Sequence, residues 1–451
     1  RHNLGPGTTL SRPAAGRVCQ RPLGRDFFLY IRLHLRYNRI CKNLPRVGEK
    51  EQVQPRERML GPVVRGGRAP SLREGDDLAA IVADTVVSAL QSEQIPVGEK
   101  DVVAVTEAVV ARAQGNYATV DQIAADVRAK LGGETIGVIF PILSRNRFSV
   151  LLKGFARGAK KVVLLLSYPS DEVGNHLVSQ QLLDKAGIDP YRDTLTKEQF
   201  REKFGVILHP FTGVDYIDFY SSLIEAEGAQ CQVILSNDPT AVLPYASRVL
   251  TCDIHTRQRT KAILQAAGAE AVVGMDEILS APVDGSGYNP DYGLLGSNKA
   301  TEERVKLFPR DCRAFALAVQ EKILAATGKK VEAMVYGDGA FKDPVGKIWE
   351  LADPVVSPGY TDGLEGQPNE VKLKYLADNN FAHLTGEELK EAIREYIRHK
   401  DADLTGRMES QGTTPRRLTD LIGSLCDLTS GSGDKGTPIV YIQGYFDNYT
   451  K

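Results

Sequence analysis

The chain has 451 residues and a formal net charge of −1 at pH 7, a length that suits two or three domains of ordinary size. The charge is uneven, because residues 1–58 carry +9 and the remainder carries −10, and an acidic body argues against a broad nucleic-acid surface. The six cysteines form no C-x-x-C pair and no apolar run approaches the roughly 20 residues of a membrane span, so we expect a cytoplasmic protein with reduced thiols that binds no membrane.

Residues 1–58 show no sustained helical or strand period. They are rich in arginine and proline, and their one apolar stretch, 27–37, is interrupted by charged side chains. Two interpretations are open: a basic arm that binds RNA or an anionic membrane, or upstream sequence translated from a misplaced start, with Met59 as the true first residue. We favour the second, because organised sequence begins abruptly after Met59, and we leave this leader out of the fold prediction.

From Arg73 onward, segments with helical and strand periodicity alternate. Residues 74–77 offer an N-cap to the first helix. The predicted helices, which share an apolar face at helical spacing, are 78–91, 109–113, 120–131 and 147–157. The predicted strands, which are short apolar or β-branched runs, are 101–106, 136–140, 160–167, 204–208, 232–235, 271–273 and 331–336.

Beyond residue 341 the composition changes. The segment 342–415 begins rich in proline and glycine and then turns helical, and the helix predicted at 387–399 has a Lys/Glu face typical of solvated surface. A helix at 417–428 and a strand at 439–443 follow. We therefore predict an α+β fold of mixed β-sheets with flanking helices. Its predicted parts are the leader 1–58, a core at 59–341, inserted segments that include the helical C-terminal insertion 342–415, and a stretch 416–451 that completes the core.

Two acidic clusters stand beside strand-type runs. One, at 213–218, carries Asp215 and Asp218, and the other carries Asp338 and Asp343. Carboxylates at strand ends can hold a hard cation such as Mg²⁺, which needs only one or two of them beside water and phosphate oxygens. Aspartates in such positions also cap turns, so both roles are open from these residues alone.

A glycine-rich loop, 430–438, lies between a predicted helix and a predicted strand. Flexible glycines let backbone N–H groups approach phosphate oxygens. The loop does not satisfy G-x-x-x-x-G-K-[ST], and it lacks the strand-then-helix order of a dinucleotide site. A plain connection between two elements is therefore the competing interpretation.

Two further residues have suggestive neighbours. Arg112 follows the polar pair Thr106-Glu107 at a predicted strand end, and it is either a two-pronged phosphate donor or an ordinary surface arginine. His209 lies close to Asp215 in the sequence, and none of the other histidines has a comparable candidate site residue nearby. No G-x-S-x-G elbow and no Cys-His signature indicates covalent catalysis.

These segments follow one another in the order of a known family's motifs. The chain resembles the coenzyme F-420-0:gamma-glutamyl ligase family. The similar blocks, each given with the family's pattern, are 68–78 (P-x-I-x-x-G-D-D-L), 101–115 (DVVVV-T-S-x-V-V-S-K-A-E-G), 144–152 (D-P-R-L-V-E-L-I-L), 213–218 (A-G-V-D-x-S-N), 335–339 (I-S-D-T) and 431–444 (a glycine loop before P-V-V-V-x-x-G).

The resemblance implies the fold of that family and a GTP-dependent ligase that uses Mg²⁺ or Mn²⁺. Such an enzyme joins L-glutamate to the carboxylate of a small-molecule acceptor by an amide bond, and it usually forms a homodimer. By position, the resemblance assigns metal binding to Asp215, Asp338, Gly339 and Ser432, with Gly339 in place of the usual Thr. It assigns nucleotide binding to Glu107, Arg112, Asp218, Gly431, Ser432, Gly433, Asp434, Lys435 and Gly436.

The implied reaction proceeds through an acyl phosphate. GTP phosphorylates the acceptor carboxylate, and the amine of glutamate then attacks it. Metals at Asp215 and Asp338 would neutralise the phosphate charge, and Asp218 or His209 is the candidate base for the amine.

Several departures from the family patterns leave the acceptor open. Gly339 weakens or opens one metal site, the segment 342–415 replaces a glycine-rich run, and a second insertion at 168–203 precedes Asp215. Both insertions lie where an acceptor pocket would be built, so a folate-type or other glutamyl-bearing metabolite competes with the deazaflavin. Two functions of other classes, a metal-dependent phosphohydrolase and a non-catalytic GTP-binding protein, would use the same residues.

Overall fold

The structure, a computed structural model, describes residues 60–145, 147–210, 212–337, 340–342, 349–351, 357–411, 417–430 and 436–447. These residues all belong to one compact unit, Leu60–Lys451. The leader 1–58 and some of the predicted site residues (Asp338, Gly339, Asp343, Gly431, Ser432, Gly433, Asp434 and Lys435) lie outside the described residues.

In chain order, strands β1 to β16 span Val63–Gly67, Val102–Thr106, Tyr117–Thr119, Thr135–Ile139, Lys161–Leu166, Leu195–Thr196, Gln230–Leu235, Arg248–Thr251, Ala271–Gly274, Asn298–Thr301, Arg304–Lys306, Glu332–Tyr336, Ala340–Lys342, Trp349–Leu351, Gly359–Tyr360 and Ile439–Gln443. Helices α1 to α12 span Leu78–Ser92, Glu107–Ala113, Val120–Leu131, Phe148–Arg157, Gln180–Ala186, Lys197–Phe204, Tyr216–Ala226, Arg257–Ala266, Cys312–Thr327, Leu373–Tyr375, Gly386–His399 and Leu418–Thr429. Shorter 3₁₀ and π turns lie at Pro239–Val242, Met275–Glu277, Asp362–Leu364, Leu376–Asn380 and Met408–Ser410.

One sheet has five strands in the order β1-β16-β2-β12-β15. Strands β2 and β12 run parallel, and β16 is antiparallel to both β1 and β2. Side chains of β2 alternate between the two faces, as the pleat requires: Val103 and Val105 pack with α1 and α9, whereas Val102 and Ala104 pack with α12. The carboxyl ends of β2 and β12 therefore meet at one edge of a sheet covered on both faces.

A second sheet has six strands in the order β6-β7-β5-β4-β8-β9, and the pairs other than β6–β7 are parallel. Helices α3, α4 and α7 cover one face, and α8 covers the other. The chain leaves β4 toward β5 and β7, and returns to add β8 and β9 on the opposite side. This doubly wound order was not anticipated in the sequence prediction.

A small antiparallel sheet, β10-β11-β3, lies between these two larger sheets along the chain. Strand β3 leads directly into α3, whose first turn is closed by a capping box between Thr119 and Gln122. Strand β11 carries Lys306, whose partner Glu107 is the first residue of α2, directly after β2 of the five-stranded sheet.

The α+β prediction is confirmed, but one predicted strand is wrong. Residues 204–208 form no strand; α6 extends to Phe204 instead, and Gly205 ends it with φ 66°. The rings of Phe200 and Phe204 lie one helical turn apart, with centroids separated by 5.0 Å. This i, i+4 contact and a capping box at Thr196 favour the helix over the strand.

The two ends of the helical excursion after β15 are joined by a backbone hydrogen bond. The backbone N–H of Leu418 donates to the carbonyl of Gly366 (2.9 Å), so residues 367–417 leave and return at the same place. None of the helices that the structure describes combines the length and apolar character that a bilayer crossing requires.

Candidate functional site

The short helix α2 packs against the segment that precedes α1 and is hydrogen-bonded to it. Nε of Arg112 donates to the backbone carbonyl of Leu72 (2.7 Å). Gly115 ends the helical stretch with φ +60°, and a Cβ there would lie 2.2 Å from Oε1 of Glu74. Glycine is favoured there, because the backbone is in the left-handed region and the Glu74 side chain packs against its Cα. Two sequence-distant blocks, 68–78 and 101–115, therefore dock on each other.

The start of β16 closes the same region from another side. The N–H of Thr106 donates to the carbonyl of Pro438 (3.0 Å). Gly436 has φ +59°, and a Cβ on Gly66 would lie 3.0 Å from Cβ and Oγ1 of Thr437. Residues 436–438, which follow the glycine loop, thus lie against the ends of β1 and β2.

These segments enclose a cleft of ≈ 450 Å³, a volume typical of small-molecule and cofactor sites. Its walls are residues 69–72, the junction of β2 and α2, the end of α12 and residues 436–438. Among the described lining residues, the charged side chains are Arg112 and Asp427. The cleft therefore has a cationic wall and an anionic wall, separated by small, polar and apolar groups.

Glu107 belongs to the same junction but its side chain turns to the other side, toward β11. Nζ of Lys306 lies 2.5 and 2.6 Å from its two carboxylate oxygens. The side chains of Glu107 and Lys306 are only 4% and 11% exposed, so this is a buried ion pair. A Cβ on Gly337 would lie 2.1 Å from Cγ of Glu107, so the end of β12 packs directly on the pair.

Asp215 is the N-cap residue of α7, one of the helices that cover the six-stranded sheet. Its Oδ1 accepts from the N–H of Asp218 (3.1 Å) and from Nη2 of Arg201 (2.6 Å). Asp218 in turn pairs with Lys197 (2.8 Å) and Arg201 (3.2 Å). The hydrogen bond from Lys197 is the main cause that holds the pKa of Asp218 below its usual value, and Arg201 adds to it.

His209 anchors the loop before α7. Its backbone N–H donates to the carbonyl of Val214 (2.9 Å), and Nδ1 accepts from the N–H of Thr212 (3.3 Å). Burial, followed by the nearby charge of Arg145, lowers the pKa of the imidazole, so the neutral ring is the stable form at pH 7. Its role as a base for the glutamate amine stays a prediction.

The family model of F420-0:Gamma-glutamyl ligase matches residues 66–444. The chain belongs to the F420-0:gamma-glutamyl ligase family. It is therefore an enzyme of the amide-bond-forming ligase type that acts on small molecules. Among curated proteins, no match to the chain was found.

The match spans each segment that forms the cleft from residue 69 to residue 438. Of the family-implied nucleotide residues that the structure describes, Arg112 and Gly436 line the cleft together. Glu107 adjoins it through Thr106 and Ala108. Asp218 lies instead on α7, with Lys197 and Arg201.

The described surroundings of Asp215 do not fit a divalent cation. Nowhere in the described part of the chain do three or more His, Cys, Asp or Glu side chains come together as metal ligands would. Oδ2 of Asp215 is buried without a hydrogen-bond partner among the described residues, but Arg201 and Lys197 already supply positive charge to both aspartates. The metal roles of Asp338, Gly339 and Ser432, outside the described residues, stay predictions, and that of Asp215 stays an untested prediction that these contacts do not favour.

The ligase-family string A-G-V-D-x-S-N has a second counterpart that the sequence comparison missed. Residues 293–298 read G-L-L-G-S-N, which keeps the Gly, the Ser and the Asn and places Leu295 at the Asp position. This segment runs directly into β10, which pairs with β11 next to Lys306. The Ser-Asn pair at 297–298 was the sequence signal that could have identified this segment, whereas 213–218 shares only the G-V-D triplet with the family string.

Proposed function

We propose that the protein is a GTP-dependent ligase that joins L-glutamate to the carboxylate of a small-molecule acceptor, with Mg²⁺ or Mn²⁺, as a cytoplasmic homodimer. The observation that carries the proposal is the cleft. Three blocks of the family resemblance that are far apart in sequence line one cavity, and two of them, 101–115 and 431–444, are blocks to which the resemblance assigns nucleotide contacts. The proposed acceptor is the deazaflavin F420-0, and a folate-type metabolite is the alternative.

The cleft supplies groups that suit a triphosphate. The guanidinium of Arg112 offers N–H donors to phosphate oxygens, and the glycine at 436 on the cleft wall leaves room for a phosphate to approach the backbone. We propose that the loop residues 431–435 continue this cradle. Ala69 and Leu72 on the wall at 69–72 would limit the access of water, which strengthens each electrostatic contact and protects an acyl phosphate from hydrolysis.

The reaction needs the nucleotide because a free carboxylate has no usable leaving group. Transfer of the γ-phosphoryl group to the acceptor gives an acyl phosphate, and attack by the glutamate amine forms the amide and releases phosphate. Phosphoryl transfer depends mainly on positioning and charge neutralisation. A divalent cation, when bound, would supply part of that neutralisation, and we propose Asp338 and Ser432 as its ligands.

A product assay tests this function. Purified protein is mixed with GTP, Mg²⁺ or Mn²⁺, L-glutamate and either F420-0 or a folate, and both GDP release and the acceptor mass are measured. We expect GDP release that requires one acceptor, together with a glutamyl-extended product. Acceptor-independent GDP release with an unchanged acceptor mass would indicate a phosphohydrolase, and GTP binding without turnover would indicate a regulator.

Replacing Arg112 by glutamine should weaken GTP binding by about 10- to 100-fold, which is the typical worth of a hydrogen-bonded charge. Isothermal titration with GTP measures the change. Arg128→Gln is the matched control, because Arg128 is also an exposed arginine that donates to a backbone carbonyl, that of Arg157 (3.0 Å), but on α3. Equal GTP affinity in the two variants would remove Arg112 from the nucleotide site.

A further inference from the structure

The carboxyl edge of the six-stranded sheet has the layout of a ligand crevice. Strands β4 and β8 are neighbours, but the chain leaves β4 toward β5 and returns to form β8 only after β7. Their carboxyl ends therefore lie where the strand order reverses, which is the place where doubly wound sheets bind ligands. The loops that follow these strands, 140–145 and 252–256, are the expected walls of a binding site.

A glutamate of the protein itself occupies the backbone donors of this crevice. The carboxylate of Glu172, which follows β5, lies against the loop after β8. Its oxygens accept hydrogen bonds from the N–H groups of Ile254 (2.5 Å), His255 (2.9 Å) and Thr256 (3.1 Å). These groups stand at the N-terminal end of α8, which carries partial positive charge. The loop is thus built to hold a carboxylate.

Asp253 adds an unpaired carboxylate oxygen to the same loop. The residue is 1% exposed, and its Oδ2 accepts from the hydroxyls of Thr256 and Thr260 (2.7 Å each). Oδ1 is buried and has no hydrogen-bond partner among the described residues. Burial is the main cause that raises the pKa of this carboxyl, and the charge of Glu172 acts in the same direction. An ammonium group would satisfy Oδ1 and oppose that shift.

A small cavity of ≈ 30 Å³ lies beside the loop, with room for about one or two water molecules. Its walls include Ile254, Arg147 and Ser297. Ser297 is 3% exposed, and its Oγ also has no hydrogen-bond partner in the described part of the chain. From Ser297 the chain runs through β10 to β11, which carries the partner of Glu107 beside the cleft. An amino acid does not fit this cavity unless the neighbouring carboxylate moves out.

We propose that this crevice binds L-glutamate and that Glu172 competes with it for the same backbone donors. The inference rests on the proposed ligase function and gives its amino-acid substrate a place. L-glutamate carries two carboxylates and one ammonium group. The N–H groups of 254–256 would take one carboxylate, the positive charge of Arg147 would attract the other, and Oδ1 of Asp253 would accept from the ammonium. A phosphate or a plain dicarboxylate would leave that oxygen without a donor.

The test is a titration of wild type, Glu172→Ala and Glu99→Ala with L-glutamate. Glu99 is the matched control, because its carboxylate also accepts from a backbone N–H, that of Lys330 (3.1 Å), but before β12. Glu172→Ala should bind L-glutamate about tenfold or more tighter than the wild type, because the ligand no longer displaces an internal carboxylate. In the product assay its KM for glutamate should fall by a similar factor while its KM for GTP stays unchanged. Glu99→Ala should match the wild type.

A second variant tests the ammonium contact and does not depend on the folding of Glu172→Ala. Asp253→Asn keeps an oxygen for the two threonine hydroxyls but loses the negative charge. Wild type should prefer L-glutamate to glutarate, which lacks the amine, and Asp253→Asn should reduce that preference about tenfold, the typical worth of a charged hydrogen bond. A purely structural role of Asp253 would weaken both ligands equally.

The outcomes separate this inference from the function it rests on. If Glu172→Ala leaves the affinity and the KM for glutamate unchanged or weaker, or if Asp253→Asn keeps the wild-type ratio between L-glutamate and glutarate, the crevice is not the glutamate site. A glutamyl-extended product from the wild type would then leave the ligase function standing. Tighter glutamate binding by Glu172→Ala, with no product from any acceptor, would keep the site and remove the ligase function.

Discussion

Replacing Lys306 by methionine should destabilise the protein by about 3–5 kcal/mol, the usual consequence of leaving one member of a buried ion pair without its partner. Both carboxylate oxygens of Glu107 lie within 2.6 Å of Nζ of Lys306, and the carboxylate is 4% exposed. Water cannot replace the lost ammonium at such a site, so Glu107 must stay charged without compensation or take up a proton. Urea unfolding followed by circular dichroism measures the loss.

The surface pair Lys160–Glu134 provides the control for this prediction. Its two side chains are 76% and 72% exposed at a separation of 2.7 Å, so Lys160→Met should cost about 0–1 kcal/mol. Removing both charges of the buried pair, in Glu107→Gln/Lys306→Met, should recover much of the stability. If Lys306→Met costs no more than Lys160→Met, the pair does not hold the small sheet to the start of α2.

The buried pair also refines what the resemblance implies for Glu107. A bare carboxylate beside a triphosphate would repel it, but Lys306 cancels that charge. Glu107 stands where the family pattern has a serine, so the neutralised pair is compatible with a nucleotide in the adjoining cleft. Its predicted contact with the nucleotide stays a prediction.

Local patterns predicted the elements whose signals are local. Helix α3 was predicted at 120–131 and observed at Val120–Leu131, because a capping box starts it and Gly132 ends it in the left-handed region. Strand β2 was predicted from its β-branched run. In contrast, the strand predicted at 204–208 depended on apolar content alone, which does not separate a strand from the end of an amphipathic helix.

The proximity of segments that are distant in sequence was predicted only where the order of the family motifs indicated it. The blocks 68–78, 101–115 and 431–444 were joined by resemblance, and the described parts of them line one cleft. The order of the six-stranded sheet was not predictable, because parallel pairing depends on contacts that are distant in sequence and leave no local pattern. The placement of Asp215 depended on a three-residue match, and 293–298 offers a competing one.

Two Asp→Asn changes should separate the metal site from the helix cap. Asp338→Asn should lower metal-dependent turnover on the order of 10²-fold or more, as the loss of an electrostatic stabiliser does. We expect this because Asp338 follows Gly337, which packs on Glu107 at the carboxyl end of β12. Turnover is measured as glutamyl-extended product over a Mg²⁺ titration, and the unfolding midpoint should stay close to that of the wild type.

For Asp215→Asn we expect the opposite pattern, a loss of stability without a loss of turnover. Asparagine caps a helix as well as aspartate does, so the amide of Asp218 keeps its acceptor and the main loss is the charged hydrogen bond from Arg201. That loss should cost about 1–3 kcal/mol of stability and leave turnover nearly unchanged. Arg201→Met, which removes the same bond from the other side, should give a similar stability loss.

One result for Asp215→Asn and Arg201→Met would contradict these expectations. If Asp215→Asn lowers turnover by about 10²-fold and shifts the Mg²⁺ requirement while Arg201→Met does neither, Asp215 binds the metal and its pairing with Arg201 is a resting arrangement. The match of 213–218 to the family string would then be the correct one. If instead both variants lose only stability, Leu295 occupies the position of the family aspartate, and the metal must be held by fewer carboxylates, with phosphate oxygens and water as its remaining ligands.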